Sequence, residues 1–253
     1  MQKIVLVMVL ALLPLFGSAK ERIEVWTYHL SPPFIVDDRH GLSHDFVDWL
    51  NQHPLNDQRF LFELTTLPRK RIDIHLAKGR PGVLLWATPS FFTAASTRHA
   101  QWSAPLLMDQ QDFVSLPDAP FDFLTPESLH GRTLGGVLGH RYEGLEADIA
   151  RKKIERQDVR TDLQNIEKLL SGRIHTLLIS RSTLFYYRKQ HDFGDLYISA
   201  RPLYRFSRHV LLTDSLGDAV TLYLNEVLEQ LPDDPQWQVL LHRYGLMPMA
   251  PQQ

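Results

Sequence analysis

The sequence predicts an α/β protein built from two similar units that face a shared cleft. Segments with strand-like apolar runs alternate with segments of helical spacing, which is the pattern of a mostly parallel sheet with helices on its faces. Each unit repeats one outline, in which a strand, a polar loop and a helix are followed by another helix that ends at a glycine before the next strand. Those glycines are Gly79 and Gly172, and a Pro- and Asp-rich segment at 116–120 separates the units.

The first unit begins with a strand at 23–26 that runs into a stiff loop. This loop contains two prolines and carries Tyr28, His29 and Phe34. In open α/β sheets, ligands bind in the crevice outside the carboxyl ends of strands. We therefore expect this loop to form one wall of a small-molecule cleft. The unit's other predicted elements are helices at 41–51 and 69–78, strands at 59–64, 83–86 and 112–116, and a loop or short helix at 91–101.

The second unit and the C-terminal part continue the alternation. The segment from Gly139 to Tyr142 follows a strand and precedes a helix, which is a position where backbone N–H groups favour anions. The predicted strands lie at 133–138, near 159, at 174–179 and at 209–213; the predicted helices lie at 145–153, 162–170, 183–190, 218–231 and 236–244.

The first 19 residues have the features of a secretory signal peptide. Lys3 is the only charge, 4–16 is almost wholly apolar, and small residues precede a predicted cleavage after Ala19. The alternative is an uncleaved N-terminal anchor, although the apolar core is shorter than the ~20 residues that span a bilayer. The expected product is a soluble exported protein, periplasmic where the organism has two membranes.

Composition narrows the function. The 253 residues are 44% hydrophobic and 22% charged, as in ordinary globular proteins, and the net charge of -2 gives no sign of a nucleic-acid surface. The chain has no cysteine, which excludes disulfides, thiol chemistry and a lipid anchor on cysteine. His40 and His44 are four residues apart, but they flank Gly41 and no His-Glu-x-x-His pattern occurs, so neither a metal nor a cofactor is predicted.

Six segments in order carry a resemblance to a known family. They are the strand and Pro-Phe loop at 28–34, Gly-Leu-Ser-His-Asp-Phe at 41–46, the Pro-x-x-Arg segment at 68–79, Thr97-Arg98 with Trp-Ser-Ala-Pro at 102–105, the Gly-rich segment at 129–140, and Gly-Arg-Ile within 169–180. Through them the chain resembles the bacterial extracellular solute-binding proteins of family 3, which include the polar amino acid-binding components of ABC importers.

The resemblance implies a two-lobed, type II periplasmic-binding-protein (Venus flytrap) fold. Such a protein closes on a small solute and hands it to a membrane permease. We expect lobe 1 to comprise residues 20–112 and 203–253, and lobe 2 residues 113–202, with the chain crossing between lobes near 113–115 and 201–204. A monomer with a small-molecule ligand and an ABC-transporter permease as partners is expected.

The sequence departs from the family pattern at its ligand site. The family's Thr-x-x-Arg block supplies an Arg for the ligand carboxylate, and Arg98 is closer to the aromatic-Ser-x-Pro block than that pattern places it. The family's Asp for the ligand amino group is replaced by Ser180, which Arg181 follows, and its Gly-Thr is replaced by Gly139-His140. An α-amino acid ligand therefore does not follow from the resemblance alone.

The candidate ligand residues combine arginines, which hold carboxylates or phosphates, with aromatic and small polar side chains. For each arginine the alternative is a solvated surface charge, and for the aromatic residues it is core packing, which is favoured for Phe34. The candidates are Tyr28, Arg71, Trp86, Thr88, Arg98, Gly139, His140, Arg141, Tyr142, Ser180 and Arg181.

Two other functions remain open from the sequence. Some proteins of this fold are dehydratases or lytic transglycosylases, and Glu143 and Glu146 are possible acids beside the second-unit loop. A negative residue near a helix start is more often a surface charge that complements the helix dipole. The other alternative is a regulatory module that presents its ligand-bound form to a membrane sensor. A solute-binding protein without catalytic activity is the expectation we favour.

Overall fold

The computed structural model describes residues 19–247, and the signal peptide predicted at 1–19 lies outside them apart from Ala19. Across this range no helix combines the length and the apolarity needed to cross a bilayer. The strands are β1 (Glu21–Thr27), β2 (Phe60–Thr66), β3 (Val83–Ala87), β4 (Ala100–Trp102), β5 (Leu107–Ser115), β6 (Thr133–Val137), β7 (Glu155–Val159), β8 (Thr176–Ser180), β9 (Tyr197–Ile198) and β10 (Tyr204–Thr213). The helices are α1 (Leu42–Gln52), α2 (Arg69–Ala77), α3 (Glu146–Ala150), α4 (Asp162–Leu170), α5 (Arg181–Gln190), α6 (Asp218–Gln230) and α7 (Pro235–Arg243).

One mixed sheet runs through the chain in the order β2-β1-β3-β10-β5-β8-β6-β7, with β4 on β10 and β9 on β5. Its two ends are parallel three-strand units, and the strands between them are antiparallel. From here on, lobe 1 denotes β1–β4 with α1, α2, α6 and α7, and lobe 2 denotes β6–β9 with α3–α5. The long strands β5 and β10 link the two lobes.

Lobe 1 is built around β3, whose five residues are all buried. Such a strand needs a helical layer on each face, because both sets of its side chains must leave water. On one face α1, α6 and α7 pack onto the sheet through a core that includes Phe46, Tyr223 and Trp237. On the other face α2 supplies Ile72 and Leu76 against Trp26.

Lobe 2 repeats this plan with β6 between β7 and β8. Helix α4 starts with a capping box, in which the Thr161 hydroxyl accepts from Gln164 N while the Gln164 side chain accepts from Thr161 N. The helix buries Ile166 and Leu169 in a core shared with α5 and β8. A second core, around Phe113 and Leu134, lies under the segment before β6.

The predicted alternation of helices and strands is confirmed, and the main misses fall on the linking strands. Strand β10 was predicted from His209 and begins at Tyr204; β5 was predicted from Asp112 and begins at Leu107. Both missed halves carry charged residues, among them Asp109 and Arg208, so they lack the apolar run of a buried strand. The short strands β4 and β9 were also missed, and α3 is shorter than predicted. The predicted lobe limits at 112/113 and 202/203 stay a prediction.

Candidate functional site

Three strand ends bring polar side chains to one edge of lobe 1. Strands β1 and β3 are parallel neighbours, so Tyr28 and Thr88, each just beyond its strand, emerge at the same edge. Strand β10 runs antiparallel to β3 with His209 opposite Ala87, which places Arg208 beside Thr88. The carboxyl ends of parallel strands are where open α/β sheets bind ligands.

The loop after β1 is fixed by backbone contacts with the start of α1. Ser43 N donates to Phe34 O at 3.0 Å, and Leu42 N donates to Pro33 O at 2.7 Å. Gly41 has φ +137°, and a Cβ there would lie 2.6 Å from Phe34 O, so only glycine allows this close approach. The loop is therefore a rigid support for the side chains at its start.

The group of Tyr28, His29, Thr88 and Arg208, which we call the donor cluster, contains buried polar atoms without partners. Tyr28 Oη, His29 Nε2 and Thr88 Oγ1 are shielded from solvent and have no hydrogen-bond partner within residues 19–247. The Arg69 guanidinium is near the Tyr28 hydroxyl but makes no hydrogen bond of ordinary geometry with it. The Tyr28 and His29 residues as a whole are only half-buried. Trp49 Nε1, His75 Nδ1 and Asn165 Oδ1 are also buried without a partner, but each lies apart from this sheet edge. Because native proteins pair nearly all buried polar atoms, three unpaired atoms at neighbouring strand ends point to a ligand site.

The chemistry of His29 makes this cluster rich in donors. Its Nδ1 lies 3.4 Å from Nη1 of Arg208. A guanidinium can only donate, so Nδ1 must accept and the ring proton of the neutral imidazole must be on Nε2. The Trp86 carbonyl is nearby but makes no hydrogen bond of ordinary geometry with Nε2. Together with the hydroxyls of Tyr28 and Thr88, the cluster presents several N–H and O–H groups that lack an acceptor.

Burial keeps the cluster's titratable groups neutral. Desolvation lowers the pKa of His29 well below its ordinary value, and the positive charge of Arg208 adds to this effect. Desolvation also raises the pKa of Tyr28 above its ordinary value. Arg208 is thus the charged member of the cluster, and Arg69 lies nearby, with its guanidinium 5.3 Å from the centre of the Tyr28 ring.

Arg208 is held by a buried carboxylate and an aromatic face. Its Nε and Nη2 donate to Oδ2 of Asp109 at 2.9 and 2.7 Å, and its guanidinium lies 4.4 Å from the centre of the Phe34 ring. The side chains of both partners are almost fully enclosed, with 5% and 2% exposed. Nη1 remains directed toward His29 and is the part of the guanidinium that can still bind an acceptor.

Asp162 approaches the same loop from lobe 2. Ser31 Oγ donates to its Oδ2 at 2.8 Å, which joins the loop after β1 to the first turn of α4. Burial raises the pKa of Asp162 above its ordinary value, and the Ser31 hydrogen bond acts in the opposite direction. In the described part of the chain Asp162 forms no salt bridge. Desolvation lowers the pKa of the nearby His140, which is more exposed than His29.

Two predicted aromatic ligand residues lie in the cores. Trp86 is fully buried with φ +61°, and its Nε1 donates to Ser43 Oγ at 2.8 Å. The Tyr142 hydroxyl accepts from Val137 N at 3.1 Å inside lobe 2. The structure gives both side chains packing roles, which was the alternative interpretation of their sequence positions.

The predicted arginines do not gather in the cleft. Arg71 is exposed on α2, and Arg69 faces Tyr28 instead. Arg98 is exposed and donates to His99 Nε2 at 3.0 Å. Arg141 is exposed and lies 3.8 Å from Glu146.

The remaining predicted residues belong to lobe 2. Arg181 forms a two-point salt bridge with the buried Asp112, with Nε and Nη2 at 2.7 and 3.1 Å from the carboxylate. Gly139 is an exposed turn residue with φ +82°. Ser180 precedes α5, where its hydroxyl donates to Thr183 Oγ1 at 2.8 Å. Of all the predicted residues, the structure brings Tyr28 and Thr88 into the donor cluster and leaves His140 beside Asp162.

Sequence reasoning missed Arg208, Asp109, Asp162 and Ser31 as site residues, and noted His29 only as a member of the loop. Arg208 lies in a strand half that was not predicted, so nothing marked it as a cleft residue. One usable signal was the position of Asp162 at the start of a predicted helix in the second unit.

No protein-family model and no curated protein sequence matches the chain. Solved structures do match it. An ancestral arginine-binding protein bound to arginine shares 16% identity at a TM-score of 0.64, over 89% of this chain and 99% of that one. The GluR0 ligand-binding core from Nostoc punctiforme in complex with L-glutamate shares 14% identity at a TM-score of 0.65, over 88% and 98%.

A third similar structure is the ancestral amino acid-binding protein AncCDT-1, a precursor of cyclohexadienyl dehydratase. It shares 16% identity at a TM-score of 0.62, over 88% of this chain and 95% of its own. At these identities the likeness extends to the fold, and it covers both lobes and the linking strands. As the resemblance to family 3 implied, the chain has the two-lobed fold of the type II periplasmic binding proteins.

Proposed function

We propose that the protein is a solute-binding protein that holds a small polar solute between its lobes, with an anionic group of the solute directed at the donor cluster. The observation that carries the proposal is the set of buried atoms without partners, Tyr28 Oη, His29 Nε2 and Thr88 Oγ1. A carboxylate offers about four acceptor sites and would satisfy these donors together with Nη1 of Arg208.

The lobe 2 side adds a group of the opposite kind. Asp162 is a buried carboxylate without a cationic partner among residues 19–247, and leaving such a group unpaired is costly. A hydroxyl or amino group on the solute would donate to Asp162 and replace the contact with Ser31. An anionic group at one end and a donor at the other describe an organic acid or an amino-acid-like solute, which agrees with the ligands named for the similar structures.

The mechanism is hinge closure driven by contacts that the solute makes with both lobes. A ligand shifts such an equilibrium only by its differential affinity for the closed state, so groups on both sides of the cleft are required. From the export signal expected from the sequence, we infer a periplasmic location where the organism has two membranes. There we infer that its partner is an ABC-transporter permease, or else a membrane sensor.

A thermal-shift screen of residues 20–253 tests the function. Amino acids, organic acids and polyamines are added singly, and a bound compound at 100 times its Kd stabilises the folded state by about 2.7 kcal/mol. We expect shifts from compounds with a carboxylate and none from polyamines, which offer no acceptor.

The site is tested with Thr88→Val, which has the same shape without the hydroxyl. Without solute, this variant should melt at the wild-type temperature or above it, because it removes a buried hydroxyl that has no partner. It should lose about tenfold in affinity, since one hydrogen bond to a charged group is worth ~1.5 kcal/mol. Hits confined to polyamines, or hits with unchanged affinity in Thr88→Val, would contradict the proposal. Turnover of a hit by the purified protein would show an enzyme instead.

A further inference from the structure

A buried hydrogen-bond network runs from the donor cluster into lobe 2 through one carboxylate. Asp109, on linking strand β5, accepts from Nε and Nη2 of Arg208 on linking strand β10. The same carboxylate accepts from Ser182 N at 3.1 Å and from Ser182 Oγ at 2.7 Å. Ser182 lies in the first turn of α5, so Asp109 connects the arginine of the donor cluster with a helix of lobe 2.

The network reaches lobe 1 through Arg208. Its Nη1 lies 3.4 Å from His29 Nδ1, and its guanidinium stacks over Phe34 in the loop after β1. The network therefore touches lobe 1, both linking strands and lobe 2 in sequence. Arg208, Asp109 and Ser182 are buried, and a charged hydrogen bond is electrostatically stronger in such surroundings than in water.

A second carboxylate on β5, Asp112, has contacts that do not extend to both lobes. Asp112 is also fully buried and also bound by an arginine, but that arginine is Arg181 of α5. Its remaining side-chain contact is Gln110 Nε2 at 2.6 Å on the same strand. Asp112 thus joins β5 to lobe 2 alone, and it makes no hydrogen bond to lobe 1 or β10 within the described chain.

We propose that Asp109 is a positioning residue that fixes the guanidinium of Arg208 in the cleft and couples its position to helix α5 of lobe 2. When an acceptor draws Nη1 of Arg208 into the cleft, the shared carboxylate passes the displacement to the first turn of α5. The relative orientation of the lobes then depends on this carboxylate. This proposal rests on the proposed function only where it says that Arg208 binds the solute. The coupling between Arg208 and α5 is therefore tested on protein without solute.

The test compares Asp109→Asn with the matched control Asp112→Asn. The chain has no cysteine, so spin labels attach only at introduced cysteines, here Asp48→Cys on α1 and Glu167→Cys on α4, both exposed. Pulsed electron resonance measures the label-to-label distance between the lobes. Both carboxylate oxygens of Asp109 accept hydrogen bonds, whereas asparagine has one accepting oxygen, so its amide nitrogen must face either Ser182 N or the Arg208 guanidinium, donor against donor.

We expect Asp109→Asn to add a population at longer distance and Asp112→Asn to keep the wild-type distribution. The second readout is the ring ¹⁵N spectrum of His29, assigned with His29→Gln. Asp109→Asn should lose the tautomer with its proton on Nε2, because Arg208 no longer faces Nδ1, and Asp112→Asn should retain it. A purely structural role of Asp109 would lower stability without these two differences between the variants.

If Asp109→Asn does not fold, the variant Ser182→Ala tests the coupling instead. It removes the Ser182 Oγ bond and leaves the Asp109–Arg208 pair intact, so the distance distribution should broaden while the His29 tautomer stays unchanged. Equal distance distributions in wild type, Asp109→Asn and Ser182→Ala would overturn the proposal. A failed solute screen has no bearing on these readouts, so failure of the coupling and failure of the proposed function are distinguishable.

Discussion

The unpaired buried donors of the candidate site belong to lobe 1, whereas lobe 2 contributes a buried carboxylate, Asp162, that has no cationic partner among residues 19–247. On the lobe 1 side, buried atoms of Tyr28, His29 and Thr88 have no partner. On the lobe 2 side, the arginines nearest the linking strands are bound to carboxylates, as Arg181 is to Asp112. Arg208 and Arg181 are each bound to a buried carboxylate through Nε and Nη2, so arginine pairing does not distinguish the two sides. An unpaired buried donor does distinguish them, because it costs free energy until it is satisfied. The difference makes unsatisfied donors a better guide to the binding side than the number of arginines.

The largest effect should come from removing the arginine of the donor cluster. Arg208→Met leaves Asp109 buried without a cation, and breaking such a pair costs ~3–5 kcal/mol. Urea unfolding measures the change. Arg181→Met is the matched control and should cost less, because the Arg181 side chain is 39% exposed whereas that of Arg208 is 5% exposed. An equal or greater loss in Arg181→Met would remove the contrast between the two ion pairs.

Acid should act on the donor cluster through His29. The folded-state pKa of His29 lies well below the ordinary 6.5, so between these values the unfolded chain binds a proton that the folded chain does not. Stability is therefore complete above about pH 6.5 and falls as the pH drops toward the lowered pKa, by at most ~1.4 kcal/mol per pH unit for one group.

Melting temperatures of wild type and His29→Gln across pH 4 to 8 check this expectation. The histidines His53, His75 and His140 also have lowered pKa values and contribute to the same acid limb in both proteins. The difference between the two curves isolates His29, and the variant should show the shallower decline. Parallel curves would show that the His29 ring is no more costly to protonate in the fold than in the unfolded chain.

Individual residues show which parts of the candidate site could be predicted from the sequence. Tyr28 was predictable because it follows a strand directly and belongs to a loop whose prolines fix its course. Thr88 was predictable because it directly follows the buried strand β3. Arg208 and Asp109 were not, since each sits in a polar strand half, and a sequence window cannot show that these halves pair at the junction of two lobes. The pairing of Arg181 with Asp112 is likewise a long-range contact. The sequence does not reveal it, and Arg181 was therefore predicted as a ligand residue.

On the lobe 2 side, Asp162→Asn should separate stability from binding. Asparagine keeps an oxygen that can accept from Ser31, and it removes a buried carboxylate whose pKa is raised by desolvation. The variant should gain about 1 kcal/mol, seen as a rise of ~2–4 °C in melting temperature at pH 7. Its affinity for solutes with an amino group should fall, as isothermal titration would show. A loss of stability would mean that the folded protein depends on the charge of Asp162.

The smallest effect should follow the substitution that the family pattern would rank highest. Arg98→Ala alters an exposed side chain whose hydrogen bond goes to the neighbouring His99, so stability should change by less than ~0.5 kcal/mol. Affinity for any carboxylate found in the screen should also be unchanged, because Arg98 makes no hydrogen bond to the donor cluster within residues 19–247. Titration of Arg98→Ala beside Thr88→Val provides the measurement. If Arg98→Ala lost affinity and Thr88→Val did not, the carboxylate would bind at the family's position, and the donor cluster would have to be satisfied in some other way.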